Sequence, residues 1–164
     1  MNATEMTEFV VRYGGIYEHS PWVAEAAACI LEAGASLEEI RRVMADCVDI
    51  ASVEEQLELM RAHPDLAGRA AIAGTLTPES TGEQASAGLD QCTAAEYERF
   101  QSLNTAYRRK FGFPFIMAVR GASRSDILKA FAERVSNPAD VEFEAALAEI
   151  HRIAEFRLEA LVDE

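Results

Sequence analysis

The sequence is short of the residues from which most enzymes build their sites. It has three histidines and three cysteines in 164 residues, and neither set is clustered. Cys29, Cys47 and Cys92 are odd in number and far apart. That suits neither a disulfide framework nor a zinc site with CxxC-like spacing. Buried free thiols in a reducing compartment are the expected state. His19, His63 and His151 make no HxH, HxxxH or HExxH pattern, so no metal site is expected. A phosphate-binding glycine loop and a GxSxG nucleophile elbow are missing as well. Positive charge is scarce: 15 Lys and Arg stand against 28 Asp and Glu, a formal charge of −13. Such a balance provides no general basic field for nucleic acid, although a local pocket for a small anion stays open. No apolar run approaches the roughly 18–20 residues that span a bilayer. The opening "MNATEMTEFV" has neither the basic flank nor the apolar core of an export signal. The closing "LEALVDE" has no peroxisomal or lipidation tag. A cytoplasmic protein with no membrane or nucleic-acid partner is the expectation.

What is present in abundance is helix. "SPWVAEAAACILEAG" (20–34) offers Ser20 as N-cap, Pro21 at the first helical position and Gly34 past the end. "SLEEIRRVMADCV" opens with a capping box, Ser36 with Glu39, and places Leu37, Ile40 and Met44 on one face. The same device recurs as Ser52 with Glu55 and as Thr93 with Glu96. After Thr93, Tyr97, Phe100, Asn104, Tyr107 and Phe111 form a stripe that Gly112 closes. The last segment, "PADVEFEAALAEIHRIAEFRLEALV", follows an Asn137–Pro138 turn and repeats Leu147, Ile150, Ala154, Leu158 and Leu161 at helical spacing. Strand-like composition is confined to "FGFPFIMAV" (111–119), too short and isolated to define a sheet. The reading is an all-α fold: a single compact multi-helix domain over 1–164, with one extended buried segment at about 113–120.

Four places have the residue types for chemistry. In "RAHPDLAG" (61–68) a proline follows His63, so a helix must end at or just before the imidazole. The partially negative helix end favours the protonated ring, as a general acid needs; the same geometry also suits a capping histidine with no task. In "TPESTGEQASAGLD" (77–90), Ser80 and Glu83 have capping-box spacing. Two glycines and several small residues also suggest close approach to the backbone there, and a helix start offers free N–H groups to an anion. "FGFPFIMAVRG" reads either as core or as a pocket wall, since an extended segment outside a sheet has unpaired backbone groups; Arg120 lies at its end. Arg157 sits roughly 60° from the centre of the last helix's apolar stripe, with His151 at a similar angle on the other side. A boundary arginine snorkels to water or turns inward to an anionic partner. His19, before Ser20–Pro21, reads as structural.

Taken together, "GGIYEHSPWVAE" (14–25), "RAHPDLAG" (61–68), "STGEQASAGLD" (80–90) and "LNTAYRRKFGFPFIMAVRG" (103–121) are far more specific than any block alone. In this order the chain resembles the 2-oxo-4-hydroxy-4-carboxy-5-ureidoimidazoline (OHCU) decarboxylase family of urate degradation. The closing "EIHRIAEFRLEALV" is similar to that family's last helix, and the central motifs show no departure. The vertebrate members' peroxisomal tail is not present, which fits a bacterial, cytoplasmic enzyme. The resemblance implies an all-α fold, usually a homodimer, with no cofactor. It also implies loss of CO2 from the ureidoimidazoline to give (S)-allantoin. His63 matches the family's catalytic histidine, and Glu83 is the second catalytic candidate. The implied substrate contacts fall on Pro64, on Ser80, Thr81, Gly82, Glu83 and Gln84, on Phe115, Ile116, Met117, Ala118 and Val119, and on Arg157. Glu83 would accept hydrogen bonds from substrate N–H groups, Gln84 would both donate and accept, and Arg157 would pair with a substrate anion. Two other classes are compatible with the bare residues: a hydrolase of a related ureide with His63 activating water, and an inactive helical binding module.

Overall fold

In the computed structural model, which describes residues 1–68, 71 and 73–162, side-chain caps decide where most helices begin. Helix α1 (Ala3–Tyr13) starts on Asn2 and Glu5, α3 (Leu37–Asp49) on Ser36 and Glu39, and α6 (Ala94–Phe111) on Thr93 and Glu96. Helix α7 (Arg124–Arg134) starts on Ser123 and Asp126. In each the cap oxygen accepts an otherwise orphaned N–H, while the acidic side chain reaches back to the cap's own N–H. Ser52 and Glu55 make the same exchange at the head of α4 (Val53–Ala62). The remaining helices are α2 (Trp22–Ile30), α5 (Pro78–Ser86) and α8 (Ala139–Ala160), with a 3₁₀ turn at Leu89–Gln91. All regular structure among the described residues is helical, as the sequence leads one to expect. No helix there is long and apolar enough to cross a membrane.

Two boundaries differ from the sequence reading. Ser20 does not cap α2: its hydroxyl donates to the Glu18 carbonyl at 2.9 Å, and Pro21 itself stands at the N-cap. Gly34 does not close α2, which ends at Ile30 where Leu31 turns extended. The glycine takes a left-handed φ of 82° in the connection that follows.

The chain divides into two compact units, residues 1–62 with 151–164 and residues 63–150, so that α8 contributes to both. In the first, α1 packs on α2 and α2 on α3. Val23, Ala24, Ala27 and Ala28 of α2 are all 0–1% exposed; their small side chains give a narrow helix that neighbours can approach closely. Against them α3 buries Val43, Met44, Cys47 and Val48, the face begun by Ile40 in the sequence. Tyr17, His151 and Asp49 are linked in this unit, with the Tyr17 hydroxyl 3.0 Å from His151 Nδ1 and Nε2 3.0 Å from Asp49.

The second unit is organised around an aromatic core. Tyr107 of α6 is fully buried and meets Phe111, Phe113, Phe115 and Phe131 at centroid distances of 4.5–5.9 Å. Phe115 stacks on Phe131 at 4.0 Å. Side chains of this size contribute about 1.5–3 kcal/mol each on burial, so this cluster dominates the unit's packing. Residues 114–119 run through it as neither helix nor strand. That is the buried irregular segment anticipated from "FGFPFIMAV".

Candidate active site

The loop carrying His63 is fixed from several sides. Helix α4 stops at Ala62, one residue before the histidine, as Pro64 requires. His63 is only 6% exposed, and the chain then turns sharply through Ala67, a non-glycine residue at φ 49°. A left-handed alanine costs about 1–2 kcal/mol, so the turn must be held. The Gln84 amide holds it twice: Oε1 accepts from Ala67 N–H at 3.0 Å and Nε2 donates to the Asp65 carbonyl at 3.3 Å. Helix α6 supplies the rest. Gln101 donates to the Ala67 carbonyl at 2.8 Å, Asn104 to the Leu66 carbonyl at 3.0 Å, and Arg108 to the Asp65 carboxylate at 2.8 Å. Gly68 is needed where it stands, because a Cβ would lie 2.7 Å from that of Asp65.

Helix α5 corrects the second reading. It begins at Pro78 with Thr77 as N-cap, whose side chain accepts from Ser80 N–H. Ser80 and Glu83 therefore lie inside the helix, and their spacing is not a capping box. The proline signal for the first helical position outweighs the Ser–Glu pair. Ser80 and Gln84 are buried, Glu83 is half-buried, and Thr81 and Gly82 are exposed. The Gln84 side chain does donate and accept, but its partners are the His63 loop. Gly82 has open space where a Cβ would go, so close approach of the protein does not explain it.

The segment 115–119 is the third component. Phe115, Ile116, Ala118 and Val119 are buried and Met117 is half-buried. Two of its backbone groups are taken by side chains: Arg134 Nη1 donates to the Ile116 carbonyl at 2.7 Å, and Glu149 accepts from Ala118 N–H at 2.7 Å. Among the described residues, the N–H and C=O of Met117 between them take no hydrogen bond. Asn104 and Tyr107, one turn apart on α6, thus grip the His63 loop and pack on Phe115 respectively.

This architecture has close relatives. A profile of the OHCU decarboxylase family matches residues 2–159. The chain belongs to the OHCU decarboxylase family. It is 46% identical over 158 residues to the 2-oxo-4-hydroxy-4-carboxy-5-ureidoimidazoline decarboxylase of Haloferax volcanii, covering 96% of this chain and 91% of that protein. It is 42% identical over 151 residues to the uric acid degradation bifunctional protein PucL of Bacillus subtilis, covering 92% of this chain and 30% of that one. Among solved structures it resembles an (S)-allantoin synthase, with a TM-score of 0.74 and 36% identity over 95% of this chain and half (50%) of that one. It also resembles an OHCU decarboxylase crystallised in the presence of (S)-allantoin, with a TM-score of 0.72 and 26% identity, covering 96% and 98% of the two chains.

Arg157, a family-implied substrate contact, turns inward as an arginine with an anionic partner should. That partner is Glu18, 2% exposed, whose carboxylate lies 2.7 Å from Nη2. Nη1 lies 3.4 Å from the carbonyls of Gly15 and Ile16. His19 next to Glu18 sits at a left-handed φ of 47° and is exposed, a chain-turning residue within the "GGIYEHSP" block. A cavity of about 400 Å³ opens beside α5, with Ala67, Thr81, Gln84, Cys92 and Tyr97 in its wall. Thr81 and Gln84 belong to the family-implied contacts, while His63 and Glu83 are not among the cavity's described lining residues. No group of three or more His, Cys, Asp or Glu among the described residues is placed to hold a metal ion.

The sequence reading missed the supports. Gln101 and Arg108 look like ordinary polar positions on a long helix. Asn104 was visible as a polar interruption of the aromatic stripe, the one available signal for a buried polar role. Glu18 gave no periodic signal because it lies in a loop.

Proposed function

We propose that this chain decarboxylates 2-oxo-4-hydroxy-4-carboxy-5-ureidoimidazoline to (S)-allantoin and CO2, as a carboxy-lyase of urate degradation. The carboxylate-bearing carbon of that substrate adjoins a ring C=N bond. When the bond to the carboxylate breaks, its electron pair enters the ring through that C=N. The resulting enol then becomes a carbonyl as the neighbouring ring carbon takes a proton, which sets the stereocentre of allantoin. The ring is its own electron sink, so pyridoxal phosphate or thiamine has no step to perform. What remains for the protein is to hold the ring, stabilise developing charge and deliver one proton to one face.

His63 is the proton donor in this reading and Glu83 the acceptor for ureido and ring N–H groups. The free N–H and C=O of Met117 suit the amide-like edge of a flat heterocycle, flanked by Phe115, Ile116, Ala118 and Val119. Pro64 and Ser80 through Gln84 border the same site; Arg157 is a substrate contact on the family resemblance alone. The observation that carries the proposal is the clamp on residues 63–68: four side chains hold a strained loop whose first residue is a buried imidazole. Loops are immobilised in this way where a group must be aimed. We further propose a cytoplasmic homodimer of one catalytic domain spanning 1–164, which sedimentation at working concentration tests.

Product analysis on freshly generated substrate tests the reaction. Stoichiometric CO2 with allantoin is the expected result. Ammonia or ring opening without CO2 would instead mark a ureide hydrolase, and no acceleration of either process would mark a binding module.

A further inference from the structure

The second unit contains a buried ionic cluster that the reaction as described does not use. Glu142 of α8 is 0% exposed inside the aromatic core. Its Oε1 accepts from the Tyr107 hydroxyl at 2.6 Å and from Arg134 Nε at 2.7 Å, with Arg134 Nη2 also 2.6 Å away. Its Oε2 accepts from Asn137 at 2.9 Å. Burial, followed by the bond to Glu142, pushes the Tyr107 phenol well above its ordinary value, so this hydroxyl stays a donor. Burying an ion pair is a poor way to gain stability, since apolar residues of similar volume often do as well or better. The cluster calls for another reason.

Arg134 supplies one. While Nε and Nη2 face Glu142, Nη1 donates to the Ile116 carbonyl at 2.7 Å, and the guanidinium lies 4.5 Å from the centre of the Phe115 ring. One planar cation therefore grips two consecutive residues of the segment, next to the peptide groups of Met117, which take no hydrogen bond among the described residues. We infer that Arg134, oriented by Glu142, is a positioning residue that sets where the Met117 N–H and C=O are presented to the substrate. The inference rests on the decarboxylase reading above. Arg134 does not touch the substrate; it fixes the backbone that does. Glu149 on Ala118 N–H pins the segment on the other side of Met117, so the reading edge is held at both neighbours.

Replacing Arg134 by lysine keeps a positive charge near Glu142 but not the fork that reaches Ile116 and covers Phe115. In the full-length R134K protein, KM for the freshly generated substrate should rise about tenfold and allantoin affinity fall about as much, the scale of one misplaced hydrogen bond to a ligand. Amide exchange at Met117 and Ala118 should quicken, while the pH profile of kcat keeps its shape. The paired variant R134M with E142M removes both buried charges together, which spares folding where a single deletion would not, and should raise KM in the same way. A folded variant of either kind whose KM and allantoin affinity stay within about twofold of the parent would overturn the positioning role, even with a lowered melting temperature. If the parent protein itself neither releases CO2 nor binds allantoin, the reaction reading fails and this inference falls with it.

Discussion

His63 is where a structural and a chemical role predict different variants. Asn tolerates helix ends and bonds to nearby backbone groups, so a purely capping histidine is replaced by it almost silently. An acid–base histidine is not, because the titrating proton is gone. Positioned proton transfer is worth about 10²–10⁴-fold, so initial rates of H63N should fall by roughly that factor while helicity and allantoin affinity hold. Glu83 is now the sharper case. Its capping role is removed by Thr77 at the N-cap of α5, so E83Q changes a charge and nothing in the helix's start. Turnover should fall about 10–100-fold, the worth of charge-assisted hydrogen bonds, with the melting temperature unmoved. Near-parental turnover in E83Q would leave that carboxylate without a catalytic task.

At the scale of elements, the account depends on α6 holding a loop and a segment from one face. Truncating Asn104 to alanine should leave the Leu66 carbonyl without its donor, at about 1–3 kcal/mol, and loosen residues 63–68. Chemical denaturation should record that loss, and kcat should drop more than KM rises because the aim of His63 is what suffers. An N104A protein that is destabilised yet retains full kcat would separate the loop's clamp from catalysis. This is also the scale at which the sequence was most and least informative. Capping boxes at Ser36, Ser52 and Thr93 and the glycine stop at Gly112 are short-range devices, written in adjacent residues and therefore readable. The Ser80–Glu83 pair has the same local pattern but loses to Thr77–Pro78 upstream, which offers a better start. Gln84, Asn104 and Arg134 act on backbone groups 17, 38 and 18 residues away. Periodicity locates a polar residue on a buried face but does not name its distant partner. Composition marked 111–121 as core or pocket wall and the family resemblance narrowed the contacts to 115–119, but the side-chain bonds to the Ile116 carbonyl and the Ala118 N–H are legible only in the structure.

For the whole molecule, the same caps set an acid limit. Hydrogen bonds from Ser36, Ser52, Thr93 and Ser123 hold Glu39, Glu55, Glu96 and Asp126 below their ordinary carboxylate values of 4.5 and 3.8. Groups depressed on folding stabilise the native state above their unfolded values, and that contribution is lost as pH falls through the folded ones. The urea midpoint should therefore be level from neutrality to about pH 5 and decline below that. At the other end, burial raises Tyr17 and Tyr107 above 10.0. Their contribution is complete below the unfolded value and is lost as pH climbs past it. A midpoint unchanged down to about pH 3 would contradict the role given to the caps. The chain's central claim, however, is that a fixed donor protonates one face of a prochiral ring. Spontaneous decay of the ureidoimidazoline has no such donor and gives racemic allantoin. The decisive measurement generates the substrate in situ, adds the purified protein and follows circular dichroism at the allantoin band. The account predicts faster formation of optically active (S)-allantoin; a racemic product formed at an unchanged rate would contradict it.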